Sequence, residues 1–363
     1  MKNTFGNSVA VTLFGESHGE VIGAVLDSAV AGIKVDETLI EKRLRQRRGL
    51  ADISTARQES DSFRIVSGVM NGITTGTPIC VLIRNENSNS GDYEKIKDTP
   101  RPSHSDFAFY EKYHGFNDYR GGGHSSGRLT APLVAVGTIC EQMLKSKGIE
   151  ILTHIKKCGD IEDIDFTDTE KDREKLENAD IPVLDGVISE MMKRKISDIR
   201  KDGDSLGGVV EVLISGVPSG VGEPWFDTVE GEIAHAMFSI PAVKGVEFGA
   251  GFGFSNLKGS QANDQMQYLD GKVRTLTNNS GGVLGGVTNG ENIIFRLAIK
   301  PTPSVAIRQK TVDLKNRENT EISVVGRHDP FIAHKAATVI KSMAAITVCD
   351  LIVQRFGTEY FML

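Results

Sequence analysis

The stretch RGGGHSSGR, residues 120–128, holds three consecutive glycines, a histidine and two serines between two arginines. Glycine lets the backbone approach a ligand closely, and serine hydroxyls with successive backbone N–H groups form a concavity that suits an anion. An arginine guanidinium can bind phosphate or carboxylate through two parallel hydrogen bonds. The segment predicts an anion-binding loop; the alternative is a solvated glycine-rich loop.

Half of the eight histidines lie next to glycine, serine, aspartate or arginine, namely His18, His104, His124 and His328. No pair among them has the i, i+4 or H-x-H spacing of a metal site. A histidine beside arginines suits work as a protonated group next to an anion, whereas metal binding needs the neutral ring. We therefore expect anion chemistry and no metal, and we interpret the other four histidines as structural.

The segment GESHG, residues 15–19, fits the G-x-S-x-G pattern of a hydrolase nucleophile elbow, with Ser17 as the nucleophile. Only fourteen residues precede Gly15, too few for the strands that such a fold builds first. The following residues, EVIGAVLD, are typical of a strand, whereas an elbow requires a helix there. The pattern favours His18 as the working group on a turn, with a serine hydrolase as the alternative.

Basic residues are concentrated in EKRLRQRRG, residues 41–49, although the whole chain has a net charge of −6. Few aromatic residues accompany the run, which disfavours a nucleic-acid patch. We expect Arg43 and Arg45 to lie on a solvated helix face. Arg47 and Arg48 stand beside Gly49 at the predicted helix end, where a loop can present them to a ligand.

Composition indicates a globular protein, because 39% of the 363 residues are hydrophobic and 25% are charged. The four cysteines form no C-x-x-C pair, so reduced core thiols are expected. The apolar run near the N-terminus is too short for a signal peptide, and no stretch approaches the ~20 apolar residues of a membrane span. These observations predict a cytoplasmic protein that is not bound to a membrane.

Two segments of the chain, residues 67–83 and 281–299, share a glycine-rich turn that leads into an apolar strand, with an offset of 214 residues between Gly68 and Gly282. The pattern predicts one domain over residues 1–363 with half-repeats at about 1–130 and 205–345, related by a pseudo-twofold axis. The charged segment 155–205 is predicted to be an insertion of two helices interrupted at Pro182. Residues 130–148 and 329–357 read as long buried helices, and hairpin-length links predict antiparallel strands.

Six motifs in this order, GESHG, RPSHSD, RGGGHSSGR, SGGVLGG, KPTPS and GRHDP, resemble the chorismate synthase family over residues 6 to about 355. The resemblance implies an α+β fold, a β-α-β sandwich of antiparallel sheets around helices, assembled as a homotetramer. It also implies a carbon–oxygen lyase that converts 5-enolpyruvylshikimate 3-phosphate to chorismate by trans-1,4 elimination of phosphate and the C6 proton, with reduced FMN as cofactor. Either NADPH or a separate flavin reductase would supply the reduced flavin. No nucleic-acid partner is implied. A further alternative is a flavin- or nucleic-acid-binding module without catalysis.

The same resemblance assigns roles to individual residues. His18 would donate a proton to the reduced flavin or stabilise its anionic form, His104 would protonate the departing phosphate, and Asp329 would relay the C6 proton by way of the flavin N5. The substrate's anions would meet four arginines, namely Arg47, Arg48, Arg101 and Arg128. The residues implied in flavin binding are His124, Ser125, Ser126, Ala242, Gly285, Lys300, Pro301, Thr302, Pro303, Ser304 and Arg327.

Overall fold

The computed structural model describes residues 2–49, 54, 60–86, 97–324 and 329–362. Among the residues singled out from the sequence, Arg327 and His328 lie outside the described residues. The prediction that Arg327 binds flavin therefore stays a prediction.

The described strands are Thr4–Phe5 (β1), Ala10–Gly15 (β2), Val21–Asp27 (β3), Phe63–Ser67 (β4), Val69–Met70 (β5), Ile73–Thr74 (β6), Ile79–Arg84 (β7), Glu150–Cys158 (β8), Ile161–Glu162 (β9), Gly208–Ser215 (β10), Val243–Phe248 (β11), Met266–Leu269 (β12), Lys272–Thr275 (β13), Val283–Leu284 (β14), Val287–Thr288 (β15), Ile293–Ile299 (β16), Gln309–Asp313 (β17) and Glu318–Ile322 (β18). The described helices are Glu37–Arg48 (α1), Asp106–Lys112 (α2), Thr130–Lys145 (α3), Thr169–Asn178 (α4), Gly186–Lys201 (α5), Val229–Phe238 (α6), Gly259–Ala262 (α7), Ala333–Phe356 (α8) and Glu359–Met362 (α9).

Two five-stranded sheets form the outer layers of the fold. The first has the order β1-β2-β3-β7-β4 and the second the order β11-β16-β10-β8-β9, with antiparallel pairing throughout. In the first sheet the register places Ala24 of β3 opposite Val81 of β7, and in the second it places Val212 of β10 opposite Phe295 of β16. These buried pairs lie on one face of each sheet because side chains alternate along a strand.

The helices α1, α3, α6 and α8 pack between the two sheets. Helix α3 contacts β3 and β7 of the first sheet, and α8 contacts β8 and β10 of the second. Helices α3 and α8 pack closely at Gly137, where a Cβ atom would lie 2.6 Å from Cβ of Ser342. The α+β sandwich of antiparallel sheets around helices is therefore confirmed.

Helix α8 is apolar on all sides because it lies in the centre of this sandwich. Of the described helices, α8 alone has the length and apolarity to cross a membrane, with a mean hydropathy of 1.8, and its most apolar window is wholly buried inside the protein. Such burial is typical of the core helix of a globular protein.

The two sheets share a strand order that the predicted duplication would produce. The order β2-β3-β7-β4 in one sheet corresponds to β8-β10-β16-β11 in the other. The hairpin of β5 and β6 recurs as β14 and β15. The second sheet begins upstream of residue 205, since its strand β8 starts at Glu150. The duplication itself stays a prediction.

The charged segment forms α4 and α5, the two helices that its pattern predicts, with Pro182 between them. Hydrogen bonds around a buried histidine connect the segment to the second sheet. His154 of β8 lies 2.9 Å from Oδ2 of Asp163 through Nδ1 and 3.0 Å from Oε2 of Glu211 through Nε2. Burial alone would lower the pKa of His154, but these two carboxylates raise it. The backbone N–H of Leu184 donates to the same Asp163 carboxylate at 2.6 Å.

The prediction that Arg43 lies on a solvated helix face is wrong. Its side chain is buried, and its guanidinium donates to both oxygens of Glu141, at 3.0 and 2.6 Å, and to Glu177 at 3.1 Å. Burial would raise the pKa of Glu141, yet Lys341 and Arg43 lower it to about 2. Arg43 is buried because α3 and α4, distant in sequence, supply its carboxylate partners. Arg45 is exposed, as expected.

Candidate functional site

The segment Arg120–Ser125 forms a tight 3-10 turn in which three glycines adopt a left-handed backbone, with φ of 61° at Gly121, 87° at Gly122 and 53° at Gly123. We call this segment the glycine loop. A Cβ atom on Gly121 would lie 2.6 Å from Oγ of Ser17 and 2.7 Å from Nε2 of His18. Glycine is therefore required at position 121 for the loop to pack against His18.

His18 lies on the turn between β2 and β3 and is buried beneath the glycine loop. The neighbouring Ser17 is held by that loop: its N–H donates to the carbonyl of Gly123 at 3.1 Å, and its hydroxyl donates to the carbonyl of Arg120 at 3.1 Å. A strand, β3, follows the turn, whereas a nucleophile elbow leads into a helix. The geometry favours His18 over Ser17 as the working group.

His104 lies on the other side of the glycine loop, with its Cε1 atom 3.6 Å from the position of a Cβ on Gly122. Its Nδ1 atom is 2.6 Å from Oδ1 of Asp106 and 3.1 Å from Nη2 of Arg101. The Arg101 guanidinium also donates to both oxygens of Asp106, at 2.8 and 2.9 Å. Burial would raise the pKa of Asp106, but Arg101 and His104 hold it well below its usual value. This ionised carboxylate fixes both Arg101 and His104.

The segment 300–304, from the second half of the chain, meets this cluster directly. Nη1 of Arg101 donates to Oγ of Ser304 at 3.3 Å, and Nζ of Lys300 donates to the carbonyl of Ser103. The backbone N–H of Lys300 donates to the carbonyl of Ala242 at 2.9 Å. Burial, with a contribution from Lys244, lowers the pKa of Lys300. The structure thus joins predicted site residues of both halves.

Two predicted substrate arginines share one buried carboxylate. Nη2 of Arg47, in the last turn of α1, donates to Oδ2 of Asp61 at 2.8 Å, and Nη1 of Arg128 donates to Oδ1. Arg48 reaches the same segment, where it donates to the carbonyl of Ser60 at 3.3 Å. Nε of Arg47 is buried and has no hydrogen-bond partner among the described residues, so it is a donor that a ligand can use.

An asparagine links this arginine pair to the His18 turn. Oδ1 of Asn85 accepts from Nε of Arg128 at 3.0 Å, and its amide nitrogen donates to the carbonyls of Glu16 at 3.1 Å and Gly19 at 2.8 Å. The side chain of Asn85 therefore fixes Arg128 relative to the turn that carries His18.

Asp329 precedes α8, and Nζ of Lys335 lies 2.8 Å from each of its carboxylate oxygens. Lys335 also packs at the end of α1, since a Cβ on Gly49 would lie 2.9 Å from its Cε. Next to it, His334 is buried with Nε2 at 2.8 Å from Oγ of Ser54, and burial and Lys335 lower its pKa to about 4. Asp329 thus pairs with Lys335, which packs at the helix end that carries Arg47 and Arg48.

The residues implied in flavin binding form a donor-rich, sterically open set. Thr302 has a buried Oγ1 atom without a hydrogen-bond partner among the described residues, and a Cβ on Gly285 would meet no heavy atom within 4 Å. The hydroxyl of Ser125 donates to the carbonyl of Gly122 at 2.8 Å, and that of Ser126 accepts from the N–H of Arg128 at 3.3 Å. This donor set fits a flavin phosphate and polar ring edge.

Not every predicted flavin residue lies in this cluster. The ring of His124 is fixed by a hydrogen bond that Nδ1 donates to the carbonyl of Gly15 at 2.8 Å. Gly285 lies at the turn of the β14–β15 hairpin, and no described hydrogen bond joins it to the glycine loop. Within the described part of the chain, no group of three histidine, cysteine or acidic side chains is arranged to hold a metal ion.

Sequence reasoning missed Asp61, Asn85, Asp106 and Lys335. Asp106 had a local signal, since it stands two residues after His104 in the motif RPSHSD. The other three gave none, because each meets its partners only through the tertiary fold.

Comparisons with known proteins agree on one family. The family model described as chorismate synthase matches residues 9–353. A chorismate synthase from Korarchaeum cryptofilum is 45% identical over 352 residues, which cover 96% of this chain and 97% of that protein. The chorismate synthase of Methanosarcina mazei is 44% identical over 351 residues, 96% of this chain and 95% of the relative. A crystal structure of chorismate synthase superimposes with a TM-score of 0.77 at 30% identity and covers 98% of this chain and 97% of that one. The chain belongs to the chorismate synthase family.

Proposed function

We propose that the site described above removes phosphate and the C6 proton from 5-enolpyruvylshikimate 3-phosphate, the carbon–oxygen lyase reaction that gives chorismate. The observation that carries the proposal is that two histidines from other segments lie next to the glycine loop, His18 against Gly121 and His104 next to Gly122. Cationic side chains surround this loop and suit a substrate with two carboxylates and a phosphate.

His104 is the proposed general acid for the leaving phosphate, and Arg101 binds the same group. Asp106 contacts both side chains and holds them in one arrangement. A positioned acid of this kind contributes about 10²–10⁴ to the rate. Arg47, Arg48 and Arg128 are proposed to bind the remaining anions of the substrate.

Asp329 is the proposed acceptor of the C6 proton, and Nζ of Lys335 lies 2.8 Å from each of its carboxylate oxygens. His18 is proposed to hold a proton at Nε2 beside the glycine loop, next to the cofactor. The duplication of the chain would explain why one reaction site draws residues from both halves.

Reduced FMN, when bound, lends an electron transiently to the reacting bonds, so that the reaction is redox-neutral overall. The residues proposed to hold its phosphate and polar edge are Ser125, Ser126, Ala242, Gly285, Lys300, Pro301, Thr302, Pro303, Ser304 and Arg327, with His124 contributing its backbone. We propose that a separate flavin reductase supplies the reduced flavin; the alternative is that this chain reduces its own flavin with NADPH.

We propose a cytoplasmic homotetramer that requires neither nucleic acid nor membrane. The cytoplasmic location is supported by four free cysteines.

Assembly is supported by large exposed side chains in three segments. These side chains are Trp225 and Phe226, Phe252, and Tyr268 of the β12–β13 hairpin, each more than 80% exposed. In sedimentation, Phe226→Ser should shift the protein to smaller species, and Val187→Ser, at an exposed apolar position of α5, should not.

The alternatives gain no support. The comparisons show neither a hydrolase nor a binding module without catalysis, and the hydroxyl of Ser17 is already hydrogen-bonded to the glycine loop. Labelling of Ser17 by a fluorophosphonate would nevertheless favour the hydrolase.

The proposed acid is tested by His104→Ala, with His235→Ala on the exposed face of α6 as the matched control. His104→Ala should lower anaerobic turnover by about 10²–10⁴ and leave substrate binding, measured by calorimetry, nearly unchanged. Wild-type turnover in His104→Ala would contradict the assignment, and His235→Ala should retain full activity.

A further inference from the structure

Asp61 lies between Arg47 and Arg128, which come from separate elements of the fold. Its side chain has no solvent exposure, and each of its two carboxylate oxygens accepts from a different arginine, Oδ2 from Arg47 and Oδ1 from Arg128. Burial would raise the pKa of Asp61, but Arg47 and Arg128 keep it below its usual value. The carboxylate therefore remains ionised between two guanidinium groups.

Both arginines also donate to neutral oxygens. Nη1 of Arg47 donates to Oγ1 of Thr130 at 3.4 Å, and Arg128 donates to Oδ1 of Asn85 at 3.0 Å and the carbonyl of Arg84 at 3.4 Å. Neutral partners fix direction but do little to offset the repulsion between two neighbouring cations. Asp61 offsets that repulsion and, by giving one oxygen to each arginine, sets their spacing.

We propose that Asp61 is a positioning residue for the lyase reaction, one that fixes Arg47 and Arg128 in the arrangement that turnover requires. The inference rests on the proposed function, in which both arginines bind substrate anions. An anionic group next to an anionic substrate opposes binding. Asp61 therefore orients the two arginines although its own charge weakens their attraction for the substrate. Its removal has a signature that a purely structural carboxylate does not have: turnover falls, but substrate affinity does not.

Asparagine is the right replacement because it keeps the shape and removes the charge. Its amide oxygen can take the place of only one of the two carboxylate oxygens, and the NH₂ group at the other position donates and cannot accept. The backbone at Asp61 has φ of 50°, a left-handed conformation that asparagine and glycine tolerate. Asp61→Asn and Asp61→Gly thus change the carboxylate without adding backbone strain.

Glu141→Gln is the matched control, because Glu141 is also a buried carboxylate between two cations, Arg43 and Lys341, outside the site. The measurements are anaerobic kcat with reduced FMN, and the Kd of 5-enolpyruvylshikimate 3-phosphate by calorimetry in the presence of oxidised FMN. Thermal unfolding verifies that each variant is folded.

We expect Asp61→Asn and Asp61→Gly to lower kcat at least tenfold with Kd unchanged or tighter. Glu141→Gln should lower the melting temperature and keep kcat. In an Arg128→Lys background, Asp61→Asn should have a smaller effect on kcat than in the wild type, since both act through one arrangement. A folded Asp61→Asn variant with kcat within twofold of wild type, or with Kd weakened in proportion to kcat, overturns the inference. Absence of chorismate from the wild type would instead contradict the proposed function.

Discussion

Gly121 gives the most direct test of how the glycine loop positions His18. In Gly121→Ala, the new Cβ would lie 2.6 Å from Oγ of Ser17 and 2.7 Å from Nε2 of His18, against 3.4 Å for an ordinary contact. The loop or the turn must therefore move by about 0.7–0.8 Å. A displacement of ~1 Å in a catalytic arrangement can cost about 10²-fold in rate, so we expect kcat/KM to fall by about 10- to 100-fold.

Stability should change less than activity. A left-handed backbone costs an alanine about 1–2 kcal/mol, and an unfolding entropy of ~2.1 cal/mol/K per residue gives a chain of this size about 0.8 kcal/mol/K. The melting temperature should therefore fall by about 1–3 °C from backbone strain alone. Calorimetry measures this shift, and anaerobic steady-state kinetics with reduced FMN measures kcat/KM.

The matched control is Gly32→Ala. Gly32 has a similar left-handed φ of 88°, but a Cβ there would meet no heavy atom within 4 Å. Gly32→Ala should show the loss of melting temperature without the loss of kcat/KM. If Gly121→Ala behaves in the same way and keeps wild-type kcat/KM, the packing of the glycine loop against His18 does not position the catalytic group.

Three further results are expected. Because its folded-state pKa is raised, His154 should stabilise the fold fully below the unfolded pKa of ~6.5 and lose this contribution as pH rises through the folded value. The urea midpoint of wild type should therefore fall toward that of His154→Gln as the pH is raised above ~6.5. A difference between the two midpoints that does not change with pH would contradict a buried, protonated His154. Asp106→Asn should lower kcat, since Asp106 fixes both His104 and Arg101 in one arrangement; a kcat equal to that of the wild type would show that this carboxylate does not organise the site. Loops of both halves meet at Arg101 and Ser304, so substrate should tighten FMN binding and FMN should tighten substrate binding by the same factor; titrations with equal FMN affinity in both conditions would exclude this coupling.

The layers of the fold could be predicted from the sequence because the signals are local. Helices α3 and α8 and strands β3 and β16 fall within the segments that the sequence patterns mark, and the glycine loop was marked by three glycines that each adopt positive φ. The family followed from six ordered motifs.

The failures concern long-range partners. Arg43 was expected in solvent because its carboxylate partners lie on α3 and α4, about 100 residues or more away along the chain. Asp61 and Asn85 carry no local signal, since their roles arise only where α1, the His18 turn and the segment before α3 converge. The individual catalytic and binding roles, the tetramer and the internal duplication stay predictions.

The central claim is that this chain performs the lyase reaction on 5-enolpyruvylshikimate 3-phosphate with reduced FMN. It is tested most directly by anaerobic incubation of the purified protein with that substrate and dithionite-reduced FMN, while the absorbance of chorismate and the release of phosphate are followed together. We predict that chorismate and phosphate form in equal amounts over many turnovers, and that oxidised FMN without a reductant gives neither. Binding of substrate and reduced FMN without formation of chorismate would contradict the account.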